Sequence, residues 1–68
     1  SEVSKMQLFM DVMKSLEGEH KTPVEEKQLV EELAKTEKFT EEEAKNFIRK
    51  MARDSSIYES KPGHYNIV

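Results

Sequence analysis

Residues 39–68 read FTEEEAKNFIRKMARDSSIYESKPGHYNIV, and this stretch decides the fold. Thr40 followed by Glu43 forms a capping box, in which a hydroxyl and a carboxylate each satisfy a free backbone N–H at a helix start. The acids after Thr40 also favour the positive end of the helix dipole. Apolar residues at three- and four-residue steps predict an amphipathic helix. Its inward stripe is Ala44, Phe47, Ile48 and Met51.

The pattern changes its period from Ile57 onwards. Two runs rich in β-forming residues, 57–59 and 64–68, flank the sequence Ser60-Lys61-Pro62-Gly63. Pro followed by Gly suits the central pair of a type II turn, because Gly adopts a positive φ without steric cost. The chain is therefore expected to end in a two-stranded β-hairpin beside the helix.

Upstream, the apolar spacing predicts a first helix that starts at a Ser4 cap and ends at the Glu17-Gly18 stop signal. Its apolar stripe repeats at three- and four-residue steps. Val3 and Leu8 stand where a hydrophobic staple would place them. The acids of the chain are expected to lie on solvated helix faces or at caps.

A second helix has an inward face of Leu29, Val30, Leu33 and Ala34. Its start leaves two alternatives. Thr22-Pro23-Val24-Glu25 is either a capping box with Pro at the first helical position, or a segment that places Val24 in a short strand before the helix begins. Three helices followed by a hairpin predict a mostly α fold, a winged helix-turn-helix, as one domain over residues 1–68.

Composition excludes several classes of site. Phosphate-binding loops need closely spaced glycines, whereas Gly18 and Gly63 are the only two in the chain. The chain has no cysteine, which removes disulfides and thiolate chemistry. No apolar run approaches the roughly 18 residues that would span a bilayer. His20 and His64 lack metal-ligand spacing. We expect no catalytic residue, no cofactor and no metal.

The net charge of -3 hides a segregated distribution. Residues 1–44 carry six lysines and twelve acids, whereas residues 45–68 carry five cations and two acids. Most of these cations lie opposite the apolar stripe of the third helix, where DNA phosphates are expected. Ordinary solvation explains such a face equally well. The predicted nucleic-acid contacts are Lys45, Asn46, Arg49, Lys50 and Arg53, with Lys61 from the hairpin.

Base reading is not expected, because recognition helices read bases with their N-terminal residues, and here these are Thr40 and three glutamates. The first helix offers a second surface. Its apolar arc is wider than one packed seam needs, so Leu8, Met10 and Val12 are predicted to bind a partner. The alternative is that the whole of this arc packs into the core of the domain and binds no partner.

The ending Ile57-Tyr58-Glu59-Ser60-Lys61-Pro62-Gly63-His64-Tyr65 resembles the C-terminal hairpin of archaeal minichromosome maintenance (MCM) replicative helicases. Those proteins end in a winged helix with an Ile-Tyr-Glu-x-(Lys/Arg)-Pro-Gly-aromatic motif. The likeness extends more loosely over nearly the whole chain. Two departures are Asp54-Ser55-Ser56, where a Gly-containing turn is usual, and Ser60, where Pro is common.

The resemblance implies a C-terminal fragment of a hexameric, ATP-driven DNA helicase. In that family the domain is a regulatory appendage behind the AAA+ motor, so the implied partners are that motor, initiator proteins and, weakly, DNA. No membrane is implied, and the implied location is cytoplasmic and nucleoid-associated. The alternative is a winged helix whose main task is DNA binding, as in transcription factors or single-strand-binding protein subunits.

Overall fold

The computed structural model describes residues 2–18 and 20–68, which form three helices and a three-stranded antiparallel sheet. The predicted mostly helical architecture is confirmed at this level. None of the described helices has the length and apolar character needed to cross a membrane. The elements in chain order are α1 (Glu2–Glu17), β1 (Val24–Glu25), α2 (Glu26–Lys35), α3 (Glu41–Arg53), β2 (Ile57–Lys61) and β3 (His64–Ile67).

The sheet has the order β1-β3-β2, so it contains one strand more than the expected hairpin. Val24 pairs with Tyr65 and Glu25 pairs with His64, which places β3 between the other two strands. Of the two alternatives for residues 22–25, the short strand is therefore the one observed. The helix then begins at Glu26, whose backbone N–H donates to the Gly63 carbonyl at 2.9 Å.

Helix α1 begins at Glu2, so the prediction that Ser4 caps it is wrong. The Glu2 carboxylate lies 3.0 Å from the Lys50 ammonium of α3. A contact with a residue so distant in sequence favours helix through the first turn, and the local cap signal at Ser4 is overridden. An acid at this position also suits the positive end of the helix dipole.

The capping box of α3 is confirmed in both directions. The backbone N–H of Glu43 donates to the Thr40 hydroxyl at 3.1 Å, and the backbone N–H of Thr40 donates to the Glu43 carboxylate at 2.9 Å. The hydrogen bonds that the Glu43 carboxylate accepts from the backbone and the side chain of Thr40, with a smaller contribution from the charge of Lys5, lower the pKa of Glu43. Capping of the helix start thus accounts for Glu43 in the acidic first turn.

One hydrophobic core joins the three helices to the sheet. Phe9 of α1 and Ile48 of α3 are fully buried, and the Phe9 and Phe47 rings lie 5.5 Å apart. Phe47, predicted to point inward, is only half-buried, because one side of its ring borders solvent. The buried apolar residues are Phe9, Met13, Val24, Leu29, Val30, Leu33, Phe39, Ala44, Ile48, Met51, Ile57 and Tyr65.

The hairpin turns at Pro62-Gly63, where Gly63 has φ +75°, as the third position of a type II turn requires. The register shifts between Glu59 and Lys61, which leaves Ser60 as a bulge. The Glu59 carboxylate accepts a hydrogen bond from the backbone N–H of Gly63 at 2.8 Å. The Glu59 side chain of β2 therefore stabilises the turn of the hairpin.

Glu17 is buried, and the expectation that the acids lie on solvated faces or caps is wrong for this residue. Its carboxylate accepts hydrogen bonds from the backbone N–H of Ile67 at 2.8 Å and from the Asn66 amide at 3.1 Å. Strand β1 pairs only with residues 64 and 65, so the N–H of Ile67 lies beyond its reach. The carboxylate supplies the acceptor that a longer β1 would have provided.

Candidate interaction surfaces

The outer face of α3 presents most of the predicted nucleic-acid contacts to solvent. Lys45, Asn46, Arg49 and Arg53 are all exposed, opposite the buried stripe of Ala44, Ile48 and Met51. The Arg49 guanidinium donates to the Asn46 amide oxygen at 3.2 Å. The structure thus brings these four residues onto one side of a single helix.

Lys50 differs from the other predicted contacts, because it turns toward α1. Its ammonium lies 3.0 Å from the Glu2 carboxylate and 3.5 Å from that of Asp54. The hydrogen bond that Lys50 donates to the Glu2 carboxylate, together with the charges of both acids, raises the pKa of Lys50. Its charge is already balanced, so this cation contributes less to an outer basic surface than the sequence suggests.

Lys45 lies toward the groove between α2 and α3. The same groove is lined by Glu26, Glu31 and Glu41 and by one further lysine, Lys27, so acids outnumber cations around it. The outer face of α3 therefore changes along its length. Three exposed glutamates stand at its N-terminal end, and its cations become dominant only from Arg49 onward.

Arg49 also lies close to the sheet. The Tyr65 hydroxyl donates to the Glu26 carboxylate at 3.2 Å. Burial of Tyr65 raises its pKa, the charge of Glu26 adds to that effect, and the charge of Arg49 opposes it. Lys61 is exposed on β2 in the hairpin. Within residues 2–18 and 20–68, no ion pair within 4.0 Å involves Arg49, Arg53 or Lys61.

The three predicted partner contacts on α1 do not form one patch. Leu8 and Val12 are each two residues from Met10, which is about 200° around a helix. All three are half-buried against the core. Met10 lines a shallow apolar groove with Met6 and Met51, whereas Leu8 and Val12 lie on the opposite flank of the core stripe. A flat partner could cover one flank but not both.

A second groove, which we call the α1/α3 groove, runs between the N-terminal half of α1 and the outer side of α3. Its volume is about 630 Å³. Phe39 and Phe47 form its apolar floor, their ring centroids 5.3 Å apart and the rings nearly perpendicular. Its lining residues are Glu2, Lys5, Phe39, Glu43, Asn46, Phe47, Lys50 and Arg53. Local sequence patterns do not reveal this groove, because its walls come from segments that are distant in the chain.

Two ion pairs cross the α1/α3 groove. Lys5 of α1 lies 3.7 Å from Glu43 of α3, and Glu2 of α1 pairs with Lys50 of α3. The Lys5 ammonium also lies 5.7 Å from the centroid of the Phe39 ring. Arg53 completes the rim, and no ion pair of the described residues includes it.

The described residues contain no group of three or more His, Asp or Glu side chains that could hold a metal ion. His20 is exposed, and the half-buried His64 has its Nδ1 2.9 Å from the Pro62 carbonyl oxygen. Comparisons of the chain with protein-family models, with curated proteins and with solved structures found no match.

Proposed function

We propose that the chain is a winged-helix interaction domain, of the regulatory kind that MCM replicative helicases carry behind their AAA+ motor. The order of elements and the sheet order β1-β3-β2 support a winged helix, since a short strand after the first helix joins the terminal hairpin. The resemblance of the hairpin sequence supports the choice of family. The proposed domain works by binding protein and, secondarily, DNA.

The charge distribution along α3 is the observation that carries the proposal. A recognition helix addresses bases through its N-terminal residues, and here Glu41, Glu42 and Glu43 are exposed at that end. Lys45 shares a groove with glutamates, whereas the other α3 cations outside ion pairs of the described residues, Arg49 and Arg53, lie farther along. Lys61 lies exposed on the hairpin. This arrangement suits contact with one phosphate backbone, with no reading of sequence.

DNA titration tests the secondary contact. We expect sequence-independent binding with a Kd of about 10⁻⁴ to 10⁻⁶ M, weakening steeply with salt. Arg49→Glu together with Arg53→Glu should abolish it while circular dichroism stays unchanged. Lys27→Glu together with Lys38→Glu reverses two exposed cations outside α3 and is the matched control. Tight binding to one sequence that survives about 200 mM salt would instead favour a domain whose main task is DNA binding.

The assignment to a helicase is tested by the coding sequence upstream of Ser1. The resemblance predicts that it continues into an AAA+ motor with a G-x-x-x-x-G-K-[ST] loop followed by an arginine finger. A reading frame without these two motifs would contradict the helicase assignment, and the DNA titration would still test the binding role independently.

A further inference from the structure

We propose that the α1/α3 groove docks an acidic amphipathic segment of a partner protein. This inference rests on the proposed function, since it names the chemistry of the protein contact. The groove combines an aromatic floor with a rim that includes Arg53, a cation outside every ion pair of the described residues. An occupant must therefore bring an apolar side chain and at least one carboxylate.

The floor favours an apolar group. Phe39 is 4% exposed and completes the base of the groove, while half-buried Phe47 presents part of its ring to solvent. Behind Phe47 stands the fully buried Phe9, so the exposed ring is held from the core side. A rigid, partly exposed aromatic ring gives contact area without a large loss of side-chain entropy. A Leu or Phe side chain from a partner would cover it.

The rim favours carboxylates. Each ion pair across the groove joins a half-buried lysine to an exposed glutamate, and the Glu2 side chain is 62% exposed. Ion pairs with this much contact with solvent are weak. Carboxylates of a partner can therefore replace Glu2 or Glu43 beside these lysines. Arg53 offers a further cation, and a guanidinium binds a carboxylate through two parallel hydrogen bonds. Among the described residues, Arg53 is the rim cation that no ion pair balances, so it is the first site for a carboxylate of the partner.

The α1/α3 groove is distinct from the basic surface around Arg49. Lys50 and Arg49 are successive residues of one helix, which places them about 100° apart. Lys50 faces α1, whereas Arg49 is exposed and lies near enough to Tyr65 for its charge to oppose the rise in the pKa of that tyrosine. Protein docking through Lys50 and DNA contact through Arg49 therefore use neighbouring sectors of α3, with Arg53 shared between them on the rim of the groove. Substitutions at Lys50 or at Arg49 can therefore weaken one without the other.

The test uses a synthetic helical peptide that carries a Leu and Phe stripe flanked by Glu residues, titrated into ¹⁵N-labelled protein. We expect the largest amide shifts at the groove-lining residues of α1 and α3. Lys5→Gln together with Lys50→Gln should raise the Kd about tenfold. The matched variant Lys45→Gln with Arg49→Gln removes the same charge from the other sector of α3, and it should leave the Kd unchanged.

A second pair of variants predicts the opposite sign. Glu2→Gln with Glu43→Gln removes the carboxylates that compete for Lys50 and Lys5, so the peptide should bind more tightly. Gln at residue 43 keeps the capping box, so the fold is retained. The matched variant Glu31→Gln with Glu42→Gln controls for the gain in net charge and should tighten binding less.

Three results would overturn the inference: no shifts at millimolar peptide, shifts centred on Met6 and Met10, or equal binding of a peptide with Gln in place of every Glu. If peptide binding is absent while DNA binding depends on Arg49, the groove inference fails and the proposed function stands. If the peptide binds in the groove and no DNA is bound, the inference is supported and the DNA part of the proposed function fails.

Discussion

The ends of helices α1 and α3 are set by different kinds of contact, although both helices pack into the same core. The start of α3 is set by neighbours in sequence, because Thr40 and Glu43 satisfy each other's backbone N–H groups. Both ends of α1 depend on residues far along the chain: Glu2 pairs with Lys50, and Glu17 binds the backbone of Ile67. The difference separates what a local pattern determines from what only the folded chain can determine.

The largest loss of stability is expected from a substitution at the contact between α1 and α3. Phe9→Ala removes a fully buried ring that stacks against Phe47 of α3. It should lower the free energy of unfolding by about 3 to 5 kcal/mol, which leaves a domain of this size largely unfolded. Thermal unfolding followed by circular dichroism measures this. A cooperative transition close to that of the parent protein would show that the core does not depend on this contact.

Glu17→Ala tests the distant contact at the end of α1. The substitution leaves the N–H of Ile67 and one hydrogen bond of the Asn66 amide without their acceptor, so a loss of about 1 to 3 kcal/mol is expected in urea unfolding. Glu31→Ala, at an exposed position on α2, should stay within about 0.5 kcal/mol of the parent. Equal effects of the two variants would mean that the buried carboxylate is dispensable.

Thr40→Ala tests the local contact at the start of α3. Loss of the hydroxyl that accepts from Glu43 should cost about 0.5 to 2 kcal/mol of the free energy of unfolding. Thr40→Ser keeps the acceptor and should recover most of this. The comparison between the helices predicts that Glu17→Ala is the more damaging of the two substitutions, and the reverse order would break it.

The smallest expected effect is a dependence of the stability on pH. The pKa of Glu43 in the folded protein lies below its ordinary value of 4.5, mainly because of the hydrogen bonds with Thr40. The stabilisation is therefore complete above that value and is lost as the pH falls through the lowered pKa. Glu43→Gln should flatten this acid limb of the melting temperature against pH. An unchanged acid limb would assign it to other carboxylates.

The sequence was informative where the deciding neighbours lie within one turn or one hairpin. The stripe of α3, its capping box and the Pro62-Gly63 turn were all predicted from local spacing. The short strand β1 was left as one of two alternatives, because two residues carry too little pattern to separate a strand from a cap. Tyr65 decides between them, and it pairs with Val24 only after the chain has folded.

The candidate surfaces show the same division. The exposed position of Arg49 follows from helical spacing, whereas the pairing of Lys50 depends on Glu2, which local spacing could not reveal. Glu17 did leave a signal: it stands four residues after Met13, on the buried stripe of α1. An acid on an apolar face indicates a buried partner, and here the partner lies at the opposite end of the sequence.

The order of the strands has a consequence for how the protein is made. Strand β3 is the last element in sequence but the middle strand of the sheet. A ribosome delivers the chain from its N-terminus, so α1, α2 and α3 emerge before any strand can find its central neighbour. Until residues 64–67 have left the ribosome, β1 and β2 lack the strand with which both of them pair. The Glu17 carboxylate likewise lacks its two donors, Asn66 and Ile67. The native sheet therefore forms only at the end of synthesis of this segment.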